Sequence, residues 1–169
     1  MTVNKKLAIF DLDHTILKCN SDHSWLDYLI NKGFIKREEY FEQNAEFQKK
    51  FREGNVNYKD YYEFTIQYLK DNSDDYISDI RSDFMKEIIE PSINIYALRL
   101  IHKHYEKNEE LLLASGTTSI IAGPIAKRLE FKNVVCTTCE KENNIYTGRI
   151  EDPPSLGAVS YTHLRAHET

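Results

Sequence analysis

Cysteine is scarce in this chain: three residues, Cys19, Cys136 and Cys139, among 169. So odd and sparse a set argues against a disulfide scaffold and fits free thiols in a reducing compartment. No apolar run reaches the roughly 20 residues a membrane helix needs, and the first residues lack the apolar stretch of a signal peptide. A cytoplasmic protein with no membrane partner is therefore expected. Positive charge is also in short supply. Against 27 Asp and Glu there are 22 Lys and Arg, a net charge of −5, and an acidic balance argues against broad nucleic-acid binding. What is present suits a globular domain. A hydrophobic content of 41% supports a core, and the length suits one domain, or a domain with an insertion. The 11 tyrosines fall mostly between Tyr28 and Tyr105, as expected of amphipathic helices with buried rings and hydroxyls that reach water.

The most informative stretch is KLAIFDLDHTIL, residues 6–17. Leu7-Ala8-Ile9-Phe10 reads as a short strand covered on both faces, as in a parallel sheet. It stops at Asp11, and a second carboxylate follows at Asp13. In open α/β sheets the reactive groups lie just past the carboxyl ends of strands. Two like charges at close range raise one pKa or attract a cation, which points to a metal-assisted site. Asp11 suits a nucleophile that attacks phosphorus, and a ligand for Mg²⁺, which takes few carboxylates and keeps several waters. Asp13 suits the acid that protonates the leaving oxygen and the base that then activates water. Thr15 tightens the turn and joins the phosphate-binding set. A surface acidic loop is the plain alternative, and the strand before it with Thr-Ile-Leu after it favours chemistry.

Between Asn20 and Pro91 only helical periods occur. Helices are expected from about His23 (capped by Ser21 or Asp22) to Gly33, over 36–52, over 58–69, and over 76–89, where Pro91 ends the run. The pattern then changes. A helix over 95–105 leads to a buried strand, Leu111-Leu112-Leu113-Ala114, which runs into Ser115-Gly116. A helix over 119–129, kinked or started by Pro124, leads to a strand over 134–136 and a hairpin over 139–150. Alternating strands and helices make a doubly wound, Rossmann-like α/β core. A Ser-Gly pair alone is an ordinary strand-to-helix turn. Beside the first motif on a neighbouring parallel strand, its hydroxyl and backbone N–H form a phosphate cradle. Cys136-x-x-Cys139 is a lone CxxC and a weak zinc signal. His102 and His104 read as exposed helix residues.

FDLDHT and LLLASG resemble the first and second motifs of the haloacid dehalogenase (HAD) superfamily. SDHSW, EIIEPSINIYAL, GPIAKRL and IYTGRIEDPP extend the resemblance, over residues 5–157, to its phosphoserine-phosphatase-like subfamily IB. The resemblance implies a HAD core over 1–18 and 92–157 with a helical cap inserted over 19–91. It implies Mg²⁺ as cofactor and a small phosphorylated metabolite as substrate. Asp11 becomes nucleophile and metal ligand. Asp13 becomes acid/base and offers its backbone carbonyl to the metal, while Ser115 and the Gly116 amide hold phosphate. True phosphoserine phosphatases carry a substrate-reading glutamate at the position of Asn20, so another phosphomonoester, including histidinol phosphate, is equally allowed.

Two family parts do not occur where the pattern places them: a lysine within a few residues of Gly157, and an acidic pair further on. VSYTHLRAHET, residues 159–169, resembles a translated sequencing adapter. The expectation is a C-terminally truncated core with 158–169 as a non-native tail, an unpaired edge on the first strand, and aggregation. A phosphatase when full length, with the present fragment inactive, is thus the first reading. A catalytically incomplete fragment that only binds phosphate, or a phosphotransferase on the same fold, are the others.

Overall fold

The computed structural model describes residues 6–151, 154 and 155. The positions near Gly157 and the tail 158–169 lie outside the described residues. Leu7–Phe10 (β1), Glu110–Thr118 (β2) and Asn133–Thr137 (β3) form one parallel sheet in the order β1-β2-β3. Between β1 and β2 come the helices Ser21–Asn31 (α1), Arg37–Arg52 (α2), Tyr58–Ile66 (α3), Asp74–Phe84 (α4), Glu90–Ser92 (α5) and Ile95–Glu106 (α6). Ser119–Arg128 (α7) carries the chain from β2 to β3. Cys139–Glu142 (β4) and Ile145–Ile150 (β5) pair antiparallel. Asn143 and Asn144 turn that hairpin at φ 51 and 67, the two left-handed residues a tight hairpin requires.

The register fixes where the chemistry-bearing loops emerge. Phe10 stands opposite Leu113, so Asp11 and the residues after Ala114 leave the sheet at the same end. β2 is longer than the four apolar residues suggest. Ala114 faces Val135 and Thr118 faces Thr137, so four steps on β2 match two on β3. Ser115-Gly116-Thr117 therefore bulges from the ladder, which re-aims side chains at the strand's exit.

Two hydrophobic layers hold this arrangement. Leu112 and Leu113 of the sheet are essentially sealed, as are Ile120, Ile121 and Ile125 of α7 packed on it. Between the helices, Trp25 and Tyr28 of α1 meet Phe84 of α4 edge-on, with ring centroids 4.9 and 5.5 Å apart. Tyr68 accepts a hydrogen bond from the Trp25 indole.

Several local expectations are corrected. β1 is not covered on both faces: Leu7 and Ile9 are 37% and 51% exposed, because no described element lies against that face. α1 is capped by Asn20, whose side chain accepts from the His23 amide, not by Ser21 or Asp22. The fourth helical run begins at Asp74, capped by Ser73. Pro91 does not stop it. α4 widens through Met85–Ile89 into α5, with Pro91 in the first positions of α5, where a missing N–H is tolerated. Pro124 lies inside a continuous α7, whose buried isoleucines outweigh the one lost main-chain bond. His104 is partly covered. Its ring meets Phe10 edge-on and its Nδ1 lies 2.5 Å from a Glu109 carboxylate oxygen.

Candidate active site

The loop after β1 is anchored before any ligand arrives. Leu12, Ile16 and Leu17 are completely buried, which leaves Asp11, Asp13 and Thr15 on the other side of the turn. His14 takes a left-handed φ of 57 and donates its amide to the Cys19 carbonyl at 3.2 Å. The end of α5 and the residue that precedes α6 clamp the loop from behind: Lys18 donates to the Ser92 carbonyl at 2.9 Å, and Asn94 to that of Ile16 at 2.8 Å.

Asp11 is exposed, and its Oδ2 accepts the Thr15 hydroxyl proton at 2.8 Å. Thr15, expected among the phosphate-binding groups, thus orients the carboxylate of Asp11. Asp13 is half-buried and multiply held. Its Oδ1 accepts from the Ser21 amide at 2.9 Å and the Ser21 hydroxyl at 2.6 Å. Its Oδ2 accepts from Thr117 Oγ1 at 3.0 Å. One carboxylate thereby joins the β1 loop, the start of α1 and the β2 bulge.

Ser115 is buried, donates to Thr117 Oγ1 at 3.1 Å and accepts from the Thr117 amide at 3.2 Å. The Gly116 carbonyl accepts from Tyr62 of α3 and from Thr137 of β3, each at 2.9 Å. The bulge is therefore fixed from both sides, and α3 reaches it directly.

Asp22 lies one residue beyond Ser21. Its Oδ1 accepts from the Thr118 hydroxyl at 2.7 Å and its Oδ2 from the Thr118 amide at 3.2 Å. Burial pushes this carboxyl up to about 7; the Thr118 bonds pull it back, and the Asp13 charge adds to the rise. Burial likewise raises the Tyr62 phenol to about 12 and the Cys136 and Cys139 thiols to about 11 and 12, and the field of Asp22 reaches all three. The CxxC thiols stay protonated near neutral pH, a poor state for binding metal or attacking carbon.

Asp11, Asp13, Ser115, Gly116 and Thr15 thus converge at one end of the sheet. Ser21, Thr117, Thr118, Tyr62 and Thr137 join them unforeseen. The run SGTT carried a hint, since hydroxyls past a strand end are ready anion donors. The local sequence offers Ser21 only as a helix cap, and nothing in it marks Tyr62.

Among the described residues no group of three or more His, Cys, Asp or Glu is arranged to hold a metal ion. Mg²⁺ does not need such a group, because it is often held by one or two carboxylates with waters and substrate phosphate oxygens. Asp11 offers an exposed carboxylate of that kind. Both Asp13 carboxylate oxygens already accept hydrogen bonds, so the backbone carbonyl is the group by which Asp13 would serve. The donor set fits a hard, largely hydrated cation. No helix among the described residues is long and apolar enough to cross a membrane.

The chain matches a family model described as haloacid dehalogenase-like hydrolase over residues 8–168. It is 32% identical over 161 residues to a histidinol-phosphatase of Neisseria meningitidis serogroup C (strain 8013), covering 95% of this chain and 72% of that protein. The fold superposes on a crystal structure of a protein of unknown function from Bordetella pertussis Tohama I. That match has a TM-score of 0.85 and 28% identity, over 97% of this chain and 75% of the other. A phospho-aspartyl intermediate analogue of phosphoserine phosphatase shares the fold at a TM-score of 0.55 and 19% identity, over 87% of this chain and 63% of that one.

Proposed function

The chain belongs to the haloacid dehalogenase-like hydrolases, and on that footing we propose that it is the phosphomonoester-hydrolysing part of a Mg²⁺-dependent phosphatase working through phospho-Asp11. The observation that carries this reading is the Ser21–Asp13–Thr117 linkage. It draws the D-x-D loop and the hydroxyl-rich bulge of the adjacent parallel strand into one constellation. In the first step an Asp11 carboxylate oxygen forms a bond to phosphorus while the bond from phosphorus to the alcohol oxygen breaks. Asp13 gives its proton to the departing oxygen. In the second step Asp13 takes a proton from water, the hydroxide oxygen bonds to phosphorus while the bond from phosphorus to the Asp11 oxygen breaks, and inorganic phosphate leaves a free Asp11 carboxylate.

The hydrogen bonds support that division of labour. Thr15 holds one Asp11 oxygen, which aims the other. The two Ser21 donors load Asp13 Oδ1, so the mobile proton belongs on Oδ2 beside Thr117. Ser115 and the Gly116 amide belong to the phosphate cradle, with Thr117 and Thr137 as its supports. Mg²⁺, held by Asp11, the Asp13 carbonyl, waters and phosphate oxygens, would supply charge neutralisation.

Residues 19–91 act as a cap in this reading. Tyr62 contacts the phosphate loop from α3, and Ser21 contacts the acid/base from α1. The substrate is a small phosphorylated metabolite. The relationship to a histidinol-phosphatase favours histidinol phosphate. Asn20, where phosphoserine phosphatases carry glutamate, caps α1 and is not available for phosphoserine's ammonium. Asp11→Asn is the direct test. Turnover of p-nitrophenyl phosphate by the full-length enzyme should drop at least 10³-fold, with no acid-stable phosphoenzyme trapped, given the very large accelerations such hydrolysis demands. Turnover retained within tenfold would sink the aspartyl-phosphate reading.

A further inference from the structure

We propose that the groove between α4 and α7 is a second anion site, built for the phosphate group of a small organic phosphate and separate from the constellation around Asp11.

The groove encloses about 330 Å³ between Ser78, Arg81, Ser82 and Met85 on one side and Gly123, Pro124 and Lys127 of α7 on the other. No carboxylate lines it, although the chain as a whole carries a net charge of −5. The Arg81 side chain is only 13% exposed, and the carboxylate it pairs with, Asp74, lies 3.8 Å away, beyond hydrogen-bond reach. Asp74 is engaged elsewhere. Its Oδ2 accepts from Lys141 at 3.2 Å and its Oδ1 from the Tyr146 hydroxyl at 2.6 Å. One carboxylate thus serves two cations. Lys127 forms no hydrogen bond or ion pair among the described residues, and neither do the hydroxyls of Ser78 and Ser82. A guanidinium taken largely out of water without a full counter-charge is costly, and an anion in the groove offsets that cost.

Gly123 points to the same use. It lies inside α7 without a left-handed φ, so its backbone does not call for glycine, and a glycine within a helix weakens it. A Cβ added there would meet nothing within 4 Å, so close packing does not call for it either. What the missing side chain provides is room at the groove wall.

The donor set selects the ligand. A guanidinium fork, an ammonium and two hydroxyls match the several oxygens and double charge of a phosphate monoester better than the two oxygens of a carboxylate. The groove is larger than a phosphate group, and Met85 with Pro124 gives the attached carbon portion an apolar wall. Ser78, Arg81 and Ser82 ride on α4, in the cap of the proposed function, while Lys127 rides on α7, which starts directly after Thr118. A phosphate seated between them ties a cap helix to a core helix.

Propylphosphonate tests this, because its carbon–phosphorus bond resists hydrolysis. The isotope-labelled full chain is titrated without metal, at fixed ionic strength and at a mildly alkaline pH where the phosphonate is doubly charged, and its amide NMR signals are followed. Ser82 and Gly123 report the groove, and Gly116 reports the site beside Asp11. The groove amides should shift saturably. Lys127→Ala should weaken their response about tenfold, as the loss of one charge-assisted hydrogen bond implies, and leave the Gly116 response unchanged. Gly123→Met, which fills the groove without displacing a packed neighbour, should abolish the Ser82 response. Acetate at the same concentration should shift the groove amides far less. Melting curves of both variants separate lost binding from lost folding. Groove amides that stay still, that move as far with acetate, or that respond equally in Lys127→Ala would overturn the inference. The phosphatase reading, tested at Asp11, stands or falls separately.

Discussion

Helices α1 and α2 are neighbours in sequence and opposites in construction. α1 buries Ser21, Trp25, Leu26, Tyr28, Leu29 and Ile30. α2, longer by five residues, buries none. Its aromatic residues meet α3 instead: Tyr40 and Phe47 stack on Phe64 at 5.3 and 4.9 Å, and Phe51 meets Tyr61 edge-on at 5.0 Å. α1 is thus welded to the rest of the chain and presents Ser21 and Asp22 from a rigid base. α2 rides on α3 through rings that touch without being sealed. Groups that must hold a catalytic carboxylate within tenths of an ångström belong on the first kind of helix. The second kind suits a surface that opens and closes.

The sharpest way to break this comparison is to remove one ring from each helix. Trp25→Ala should cost about 3–5 kcal/mol, because it empties a sealed site against Phe84 and Tyr68. Phe47→Ala, from a half-buried position, should cost about 1–2 kcal/mol. Urea denaturation of both variants checks the pair. Equal losses would mean that α2 is as integral as α1.

The sequence made one side of this contrast legible and hid the other. Phe10-Asp11-Leu12-Asp13 and Leu113-Ala114-Ser115-Gly116 could be read because a buried run that stops at polar residues is a local signal, and the two runs do leave one sheet end together. The helical periods of α1 to α4 were visible for the same reason. The bulge at Ser115–Thr117 was not, since it depends on how β3 pairs with β2. Asp22 read as a cap because acidic residues at a helix start usually are. That Asn20 does the capping, while Asp22 turns towards Thr118 almost a hundred residues away, is a tertiary fact. The same holds for Tyr62 and Gly116. The half-bare face of β1 was also unreadable, because four apolar residues in a row say nothing about which neighbours arrive.

If α1 is the rigid support for the acid/base, loosening one contact should damage chemistry more than binding. Ser21→Ala removes the 2.6 Å bond to Asp13 Oδ1 and keeps the amide bond. kcat should fall roughly ten- to a hundredfold while KM moves less than about threefold, the signature of a group that acts through the transition state. Steady-state kinetics of the full-length enzyme on p-nitrophenyl phosphate measure this. A change in KM alone would move Ser21 from positioning the acid/base to shaping the pocket.

The smallest effect tests whether α1 carries a charge the fold would rather lack. With its carboxyl raised from 3.8 to about 7 by burial, Asp22 binds a proton in the folded chain over a range where the unfolded chain has released it. Its contribution to stability therefore falls as pH rises from about 4 and is fully lost above about 7. Each pKa unit corresponds to about 1.4 kcal/mol; water reaching a half-buried side chain reduces the expected effect to about 1–2 kcal/mol in all. Asp22→Asn should thus be more stable than the parent at pH 8, and the advantage should vanish near pH 4. The neighbouring Tyr61, Tyr62, Tyr68, Cys136 and Cys139 are all pushed upward by burial and stay neutral across this window. Asp13 is common to both proteins, so the difference between their urea midpoints at pH 4, 6 and 8 isolates Asp22. Parallel midpoints would mean that its charge costs the fold nothing. A widening gap would show α1 giving up stability to keep that carboxylate half-buried.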